Sequence, residues 1–480
     1  MKSRLNKWFI QRKFIFTPTV LCFMTSSYGW CNDLENEENP RDHAGKPNFV
    51  LIFVDDLGYG DLGCYGHPTI KTPNIDKMAA EGQRWTSFYT AANVSSPSRA
   101  ALLTGRLPVR NGMDTNKRRV FFPDSKGGLP QSEITIAGLL KEVGYKSACV
   151  GKWHLGHLPQ YLPGEHGFDY FFGLPYSNDM DPATDMGHNK ACMDPRSEYF
   201  NVPLMKGDQI IERPADQTAL TKRYTEEAVR FINENNDSPF FLYLAHTMPH
   251  VPLFVSDEFK GKSQRGLYGD VISELDWSIG KILSALSDNG LDKNTLVVFT
   301  SDNGPWVIMK EMGGSSGLLY GAKGSSYEGG MRVPAIFYWP GSLEPEVVTD
   351  KFASTLDILP TFADLAGVSL PGDRIYDGYS ISNTHLHPDA NSRDEMFFYH
   401  GLELFAVRKG DFKLYFYKNN PDGYPQRLVK LDKPELFNIQ KDPSERFNII
   451  DSYPRIVQEI KLLVENHQSE LEPVESQLDK

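Results

Sequence analysis

Asn48-Phe49-Val50-Leu51-Ile52-Phe53-Val54-Asp55-Asp56 is apolar from Phe49 to Val54 and stops abruptly on two carboxylates. A run this short, rich in β-branched and aromatic residues with no polar alternation, reads as a strand buried on both faces. Segments 240–245 and 295–300 have the same form, and 146–150 joins them as a run of small apolar residues. Between them lie amphipathic stretches at 74–80, 136–143, 224–234 and 268–286, several entered through Thr, Ser or Asp caps. Strands alternating with helices imply an α/β fold, a mainly parallel central sheet sandwiched by helices. From residue 396 the pattern changes to strand-like segments at 396–399, 404–408 and 412–417 with a helix at 453–467, read as a smaller antiparallel C-terminal subdomain.

The other boundaries follow from composition. Lys2, Arg4, Lys7, Arg12 and Lys13 precede an apolar run from Phe14 to Met24, and small Ser27 and Gly29 stand before Trp30. Residues 1–29 therefore read as a secretory signal peptide, with an uncleaved anchor as the alternative. Acidic, aperiodic residues 30–46 read as a linker, followed by a main domain at 47–395 and the C-terminal subdomain at 396–480. The expectation is an exported protein, periplasmic or extracellular, with no stable membrane insertion. A chain of 480 residues, 40% hydrophobic, can bury a large core, and a net charge of −12 argues against a nucleic-acid surface. Cys31, Cys64, Cys149 and Cys192 are scattered without metal-type spacing and imply no disulfide framework.

Polar residues fall where strands end: Asp55-Asp56, Lys152 with His154, His246 with His250, and Asp302-Asn303 each follow one of the four segments. Open α/β sheets bind ligands at the carboxyl ends of their strands. Either aspartate pair alone reads as a turn or helix cap. Brought to one edge, Asp55, Asp56, Asp302 and Asn303 would repel unless a cation neutralised them, and an all-oxygen set favours Ca2+, with Mg2+ as the alternative, over Zn2+. Ser95-Ser96-Pro97-Ser98-Arg99 opens a short apolar helix closed by Gly105, and a helix N-terminus offers free amides to an anion.

That last segment, continued from Ala100 to Arg106, resembles the type I sulfatase signature of the form Cys/Ser-x-Pro-Ser-Arg. Further matches are Gly151-Lys152-Trp153-His154-Leu155-Gly156, Thr300-Ser301-Asp302-Asn303-Gly304 and the run from Gly321 to Pro334. Leu174-Pro175-Tyr176-Ser177 and His246-Thr247-Met248-Pro249-His250-Val251-Pro252 are also similar to arylsulfatase A-like members. The resemblance implies an alkaline-phosphatase-like fold, and a formylglycine at Ser95 as nucleophile and fifth metal ligand. A serine there implies an anaerobic radical maturase acting before export, since the animal arylsulfatases carry Cys.

The resemblance also assigns roles. The cation and Arg99, Lys152 and Lys323 would neutralise the nucleophile and the sulfate oxygens, with Lys152 and Lys323 touching substrate. His250 and Lys323 would protonate the departing alcohol, and His154 would take the proton that lets sulfate leave. Ser177 and His246 would line the substrate site, although His246 reads equally well as a brace for its loop. Sulfated carbohydrate or aryl sulfate is the expected substrate, with selectivity in the loops at 179–203 and 418–426. Two rivals stand: a phosphomonoesterase or phosphodiesterase of the same superfamily, and a catalytically silent sulfated-glycan binder.

Overall fold

The structure, a computed structural model, describes residues 45–382 and 393–480. The segment read as a signal peptide, and the linker up to residue 44, lie outside them. β1 (Asn48–Val54) is buried along its whole length. Val50, Ile52 and Val54 pack with Ile75, Tyr224, Ala228, Ile279 and Ile282. Phe49, Leu51 and Phe53 pack on the opposite side with Leu102, Leu103, Leu139, Leu140 and Phe362. The strand period of two thus divides one continuous apolar run between two cores, and each such side chain contributes about 1.5–3 kcal/mol on burial.

Nine further strands share the main path: β2 (Gln83–Tyr89), β3 (Lys146–Gly151), β4 (Tyr170–Gly173), β5 (Leu204–Lys206), β6 (Gln209–Glu212), β7 (Phe240–Ala245), β8 (Thr295–Ser301), β9 (Arg332–Tyr338) and β10 (Val347–Thr349). Their order is β10-β2-β9-β8-β1-β7-β3-β4-β5-β6, and β11 (Ala353–Ser354) also pairs with β2. Every junction from β8 to β4 is parallel. Antiparallel pairs flank that centre, with β9 between β8 and β2 on one side and β4-β5-β6 on the other. The four segments picked out by their apolar runs are neighbours, in the order β8-β1-β7-β3.

Register sets the level at which each strand releases its polar residues. Val54 lies opposite Ser301, Phe53 opposite Ala245, and Ala245 opposite Gly151. Asp55, Asp302, His246 and Lys152 therefore leave the sheet within about one residue of the same height. Gly151 makes the β3 exit feasible: its φ is 114°, and a Cβ there would lie 1.9 Å from the Ala245 carbonyl oxygen.

β9 was not legible as a strand because Pro334 interrupts it. The β2–β9 register slips between Trp85 and Phe88, a local irregularity that suits a residue with no N–H to donate. The C-terminal sheet is the antiparallel meander β12 (Glu395–His400), β13 (Glu403–Lys409), β14 (Phe412–Lys418) and β15 (Val429–Asn438). β15 escaped the reading because Lys430, Asp432, Lys433 and Pro434 break its apolar pattern, as edge strands tolerate. The helix Pro454–Ser469 sets Val457 and Ile460 among Leu404, Val407 and Leu414, a cluster that also takes in Ala101 and Leu356 from the main body.

Candidate active site

Ser95 is the first residue of the helix Ser95–Thr104, which ends at Gly105 in the left-handed conformation with φ 65°. Its Oγ donates to Asp55 Oδ1 at 3.0 Å, and Lys152 Nζ approaches it at 3.4 Å. Lys152 also donates to Ser177 Oγ at 3.2 Å and forms a close ion pair with Asp55 Oδ2. Arg99, one helical turn beyond Ser95, faces the same way. Its Nη2 lies 3.1 Å from Asp302 Oδ2 and 3.6 Å from Asp55 Oδ2, and its Nη1 donates to the Lys152 carbonyl at 3.1 Å.

The remaining acidic residues join this cluster. Asp302 Oδ1 accepts from the Asp56 amide at 3.1 Å, Asn303 Nδ2 donates to Asp56 Oδ1 at 2.7 Å, and Lys323 Nζ pairs with Asp56 Oδ2 at 2.8 Å. All are buried, and Asp56 holds a φ of 63°, a strained value for a residue with a side chain. Three carboxylates, the Ser95 hydroxyl and the Asn303 Oδ1, which is buried without a hydrogen-bond partner, form an oxygen set that fits a hard divalent cation. His250 belongs here too. One nitrogen of its ring lies within 4.8 Å of oxygens from Asp55 and Asp56, and its Nε2 is 3.7 Å from Asp56 Oδ2.

Above the cluster opens a cavity of about 900 Å³ whose lining includes Ser95, His154, Ser177, His250 and Lys323. His154 Nε2 lies 2.9 Å from the Phe121 carbonyl oxygen and must carry its proton there. Nδ1 is left as the basic nitrogen, buried without a partner. His246 is not brought to this cavity. It is fully buried, with Nε2 3.1 Å from Ser278 Oγ, so the structure gives it the bracing position rather than the substrate-facing one.

This geometry meets independent comparisons. Residues 47–368 match the family described as Sulfatase, and residues 391–480 match the C-terminal region of aryl-sulfatase. The chain belongs to the sulfatase family. It is 41% identical to arylsulfatase A of Homo sapiens over 451 residues, covering 88% of this chain and 87% of that protein. It is 39% identical to N-acetylgalactosamine-6-sulfatase of Rattus norvegicus over 468 residues, covering 90% and 87%. Among solved structures, the PsFucS1 sulfatase from Pseudoalteromonas sp. has a TM-score of 0.80 at 30% identity, covering 90% of this chain and 92% of that one. Ps i-CgsB has a TM-score of 0.74 at 31% identity, covering 89% and 94%. The protein is therefore a sulfatase, an enzyme that hydrolyses sulfate esters, and its family implies a bound metal and a formylglycine.

In this sulfatase, burial works against every charge at the site, and neighbouring ions decide the outcome. Burial pushes the Asp55 carboxyl up, but Lys152, His250, Arg99 and Lys323 outweigh it and hold Asp55 well below the ordinary carboxylate range. Asp302 is pushed up to about 7 by burial and by the charge of Asp55. Burial and the nearby Lys152 hold His154 well below its usual value, so it stays neutral and basic at Nδ1. His250 is lowered by burial and by Lys323, whereas Lys323 itself is raised, burial notwithstanding, by Asp56.

The glycines around Lys323 let its loop fold closely on itself. A Cβ at Gly329 would lie 2.0 Å from the Gly321 carbonyl oxygen, and one at Gly330 would lie 2.0 Å from that of Ser325. Sequence reasoning missed Trp306, Asp179, His188 and Tyr424 as lining residues. Asp179, His188 and Tyr424 fall within the two loops expected to carry selectivity, and Trp306, three residues after Asn303, had no signal beyond that proximity.

Proposed function

We propose that this sulfatase removes sulfate from sulfated saccharides by way of a formylglycine formed at Ser95 and a Ca2+ ion held by Asp55, Asp56, Asp302, Asn303 and residue 95. One observation carries the reading: Ser95 opens a helix at the base of a large cavity, within reach of Asp55 and Lys152 at once. Neighbouring proteins support the substrate class. Ps i-CgsB has been solved in complex with k-i-k-neocarrahexaose, and a structure 30% identical to this chain, with a TM-score of 0.76, comes from work on glycosaminoglycan metabolism by bacteroides thetaiotaomicron.

The ion, when bound, supplies positive charge at the nucleophile and the sulfate oxygens, and the hydrated aldehyde supplies two hydroxyls on one carbon. Lys152 and Arg99 hold Asp55 ionised, Arg99 also pairs with Asp302, and Lys152 stands against residue 95 and Ser177. Lys323, kept charged by Asp56, faces the cavity beside His250, where the two steady the sulfate and pass a proton to the departing alcohol. Neutral His154 accepts a proton at Nδ1, the nitrogen that the Phe121 carbonyl leaves free. Maturation of Ser95 by a radical enzyme would precede export to the periplasm or beyond, directed by residues 1–29.

Mass spectrometry of the Ser95 peptide from the native host tests the reading. Oxidation of serine to formylglycine removes two hydrogens, a loss of about two mass units. Unmodified serine alone, with sulfated glycan bound but not hydrolysed, would favour a silent binder instead. Dominant zinc-dependent phosphatase activity on paired aryl esters would overturn the calcium-sulfatase assignment.

A further inference from the structure

The cavity changes character between its base and its mouth. At the base stand the cationic and basic groups Lys323, His250 and His154. Its wall is aromatic. The Trp306 ring lies 5.4 Å from that of His250, 5.6 Å from Tyr424 and 6.1 Å from His188, and Lys323 Nζ sits 4.4 Å from its centroid. Trp306 thus spans the space from the reacting end to the mouth, a position suited to stacking against the face of a sugar ring.

The mouth is acidic: exposed Asp124 and Asp185 and half-buried Asp181 line the cavity there with Arg118 and His188, and Asp179 lies deeper, towards His250. Each of those cations is already paired: Arg118 with Asp124 through bonds of 2.7 and 2.8 Å, and His188 Nε2 with Asp179 Oδ2 at 2.8 Å. Asp181 pairs closely with Arg213, while exposed Asp185 has no cationic partner among the described residues. The other oxygen of Asp179, Oδ1, is buried without a hydrogen-bond partner. Because His250 and His188 hold Asp179 ionised, that oxygen can only accept a hydrogen bond.

Resting on the sulfatase reading above, we propose that the cavity selects a saccharide whose only charge is the sulfate to be removed. Its ring stacks on Trp306, a hydroxyl donates to Asp179 Oδ1, and the acidic mouth turns away a second sulfate or a carboxylate. A second anion would have to take Arg118 or His188 from its aspartate, and would meet Asp185 uncompensated. A hydroxyl meets a ready acceptor at no such cost.

The charge filter can be read without knowing the sugar. Two phenyl sulfates, one bearing a para-carboxamide and the other a para-carboxylate, differ at the mouth by one charge. After correction for leaving-group reactivity, the matured enzyme should favour the carboxamide by roughly ten-fold in kcat/KM, with the ratio shrinking as salt is raised. Asp185→Lys, an exposed change away from the reacting groups, should bring the ratio roughly three- to ten-fold towards parity. Equal or faster turnover of the carboxylate by the parent enzyme, or a ratio untouched by Asp185→Lys, would overturn the proposal. Asp179→Asn should lower kcat/KM across monosulfated hexoses by roughly ten-fold more than on the carboxamide ester, which has no hydroxyl to place. Equal losses on both would make Asp179 a structural partner of His188 and refute its role as a hydroxyl acceptor. Turnover of neither aryl ester nor any monosulfated hexose would fail the reading of Ser95 itself, a result distinct from every outcome above.

Discussion

Replacing Asp302 by alanine tests whether the acidic cluster is a metal site and what it contributes to the fold. Asp302 and Arg99 are both fully buried, with Arg99 Nη2 3.1 Å from Oδ2. Removing one member of a buried pair costs about 3–5 kcal/mol, because the other charge is left uncompensated. Arg99 keeps Asp55 at 3.6 Å, which places the expected loss near the lower figure, about 3 kcal/mol for chelator-treated protein. Calcium adds a second, separable quantity. An ion that binds the native state alone stabilises by RT ln(1 + [L]/Kd), about 2.7 kcal/mol at roughly 100-fold excess over Kd. If losing one ionic donor weakens binding by about 100-fold, the same calcium concentration adds only about 0.4 kcal/mol to Asp302→Ala. Urea unfolding followed by tryptophan fluorescence, with and without calcium after chelator treatment, measures both. A variant that keeps the full calcium increment would refute the assignment of the ion to this cluster.

Other outcomes follow from the same geometry. Ser95→Ala should abolish sulfate release yet cost only about 1 kcal/mol of stability, since one hydrogen bond to Asp55 is lost; paired activity and urea-unfolding measurements check it. His246 is held at about 3 by burial, below its unfolded value, so it contributes stability above about pH 6.5 that is lost as pH falls towards 3. His246→Gln should therefore remove up to about 1.4 kcal/mol per pH unit from the acid slope of stability across that window, and an unchanged slope would show that His246 is protonated in the fold. Gly151→Ala should destabilise by at least about 2 kcal/mol and reduce activity, because a Cβ has no room beside Ala245 and Lys152 would shift with it; a thermal melt like that of the parent would contradict the packing described.

Much of this protein was legible in its residues. Apolar runs too short for helices, each ending on Asp, Lys or His, mark the four central strands and the edge at which they open. The residues from Ser95 to Arg106 name the family. These signals are local: burial on both faces demands a continuous apolar run, and a signature depends on contiguous residues. Tertiary structure alone settled what depends on residues distant in the chain. It placed β9 beside β8 despite Pro334, drew His250 into the carboxylate cluster, turned His246 away towards Ser278, and assembled the cavity lining from Asp179, His188 and Tyr424. Side chains supplied by separate loops carry no shared period or spacing, so their meeting is written only in how the chain packs.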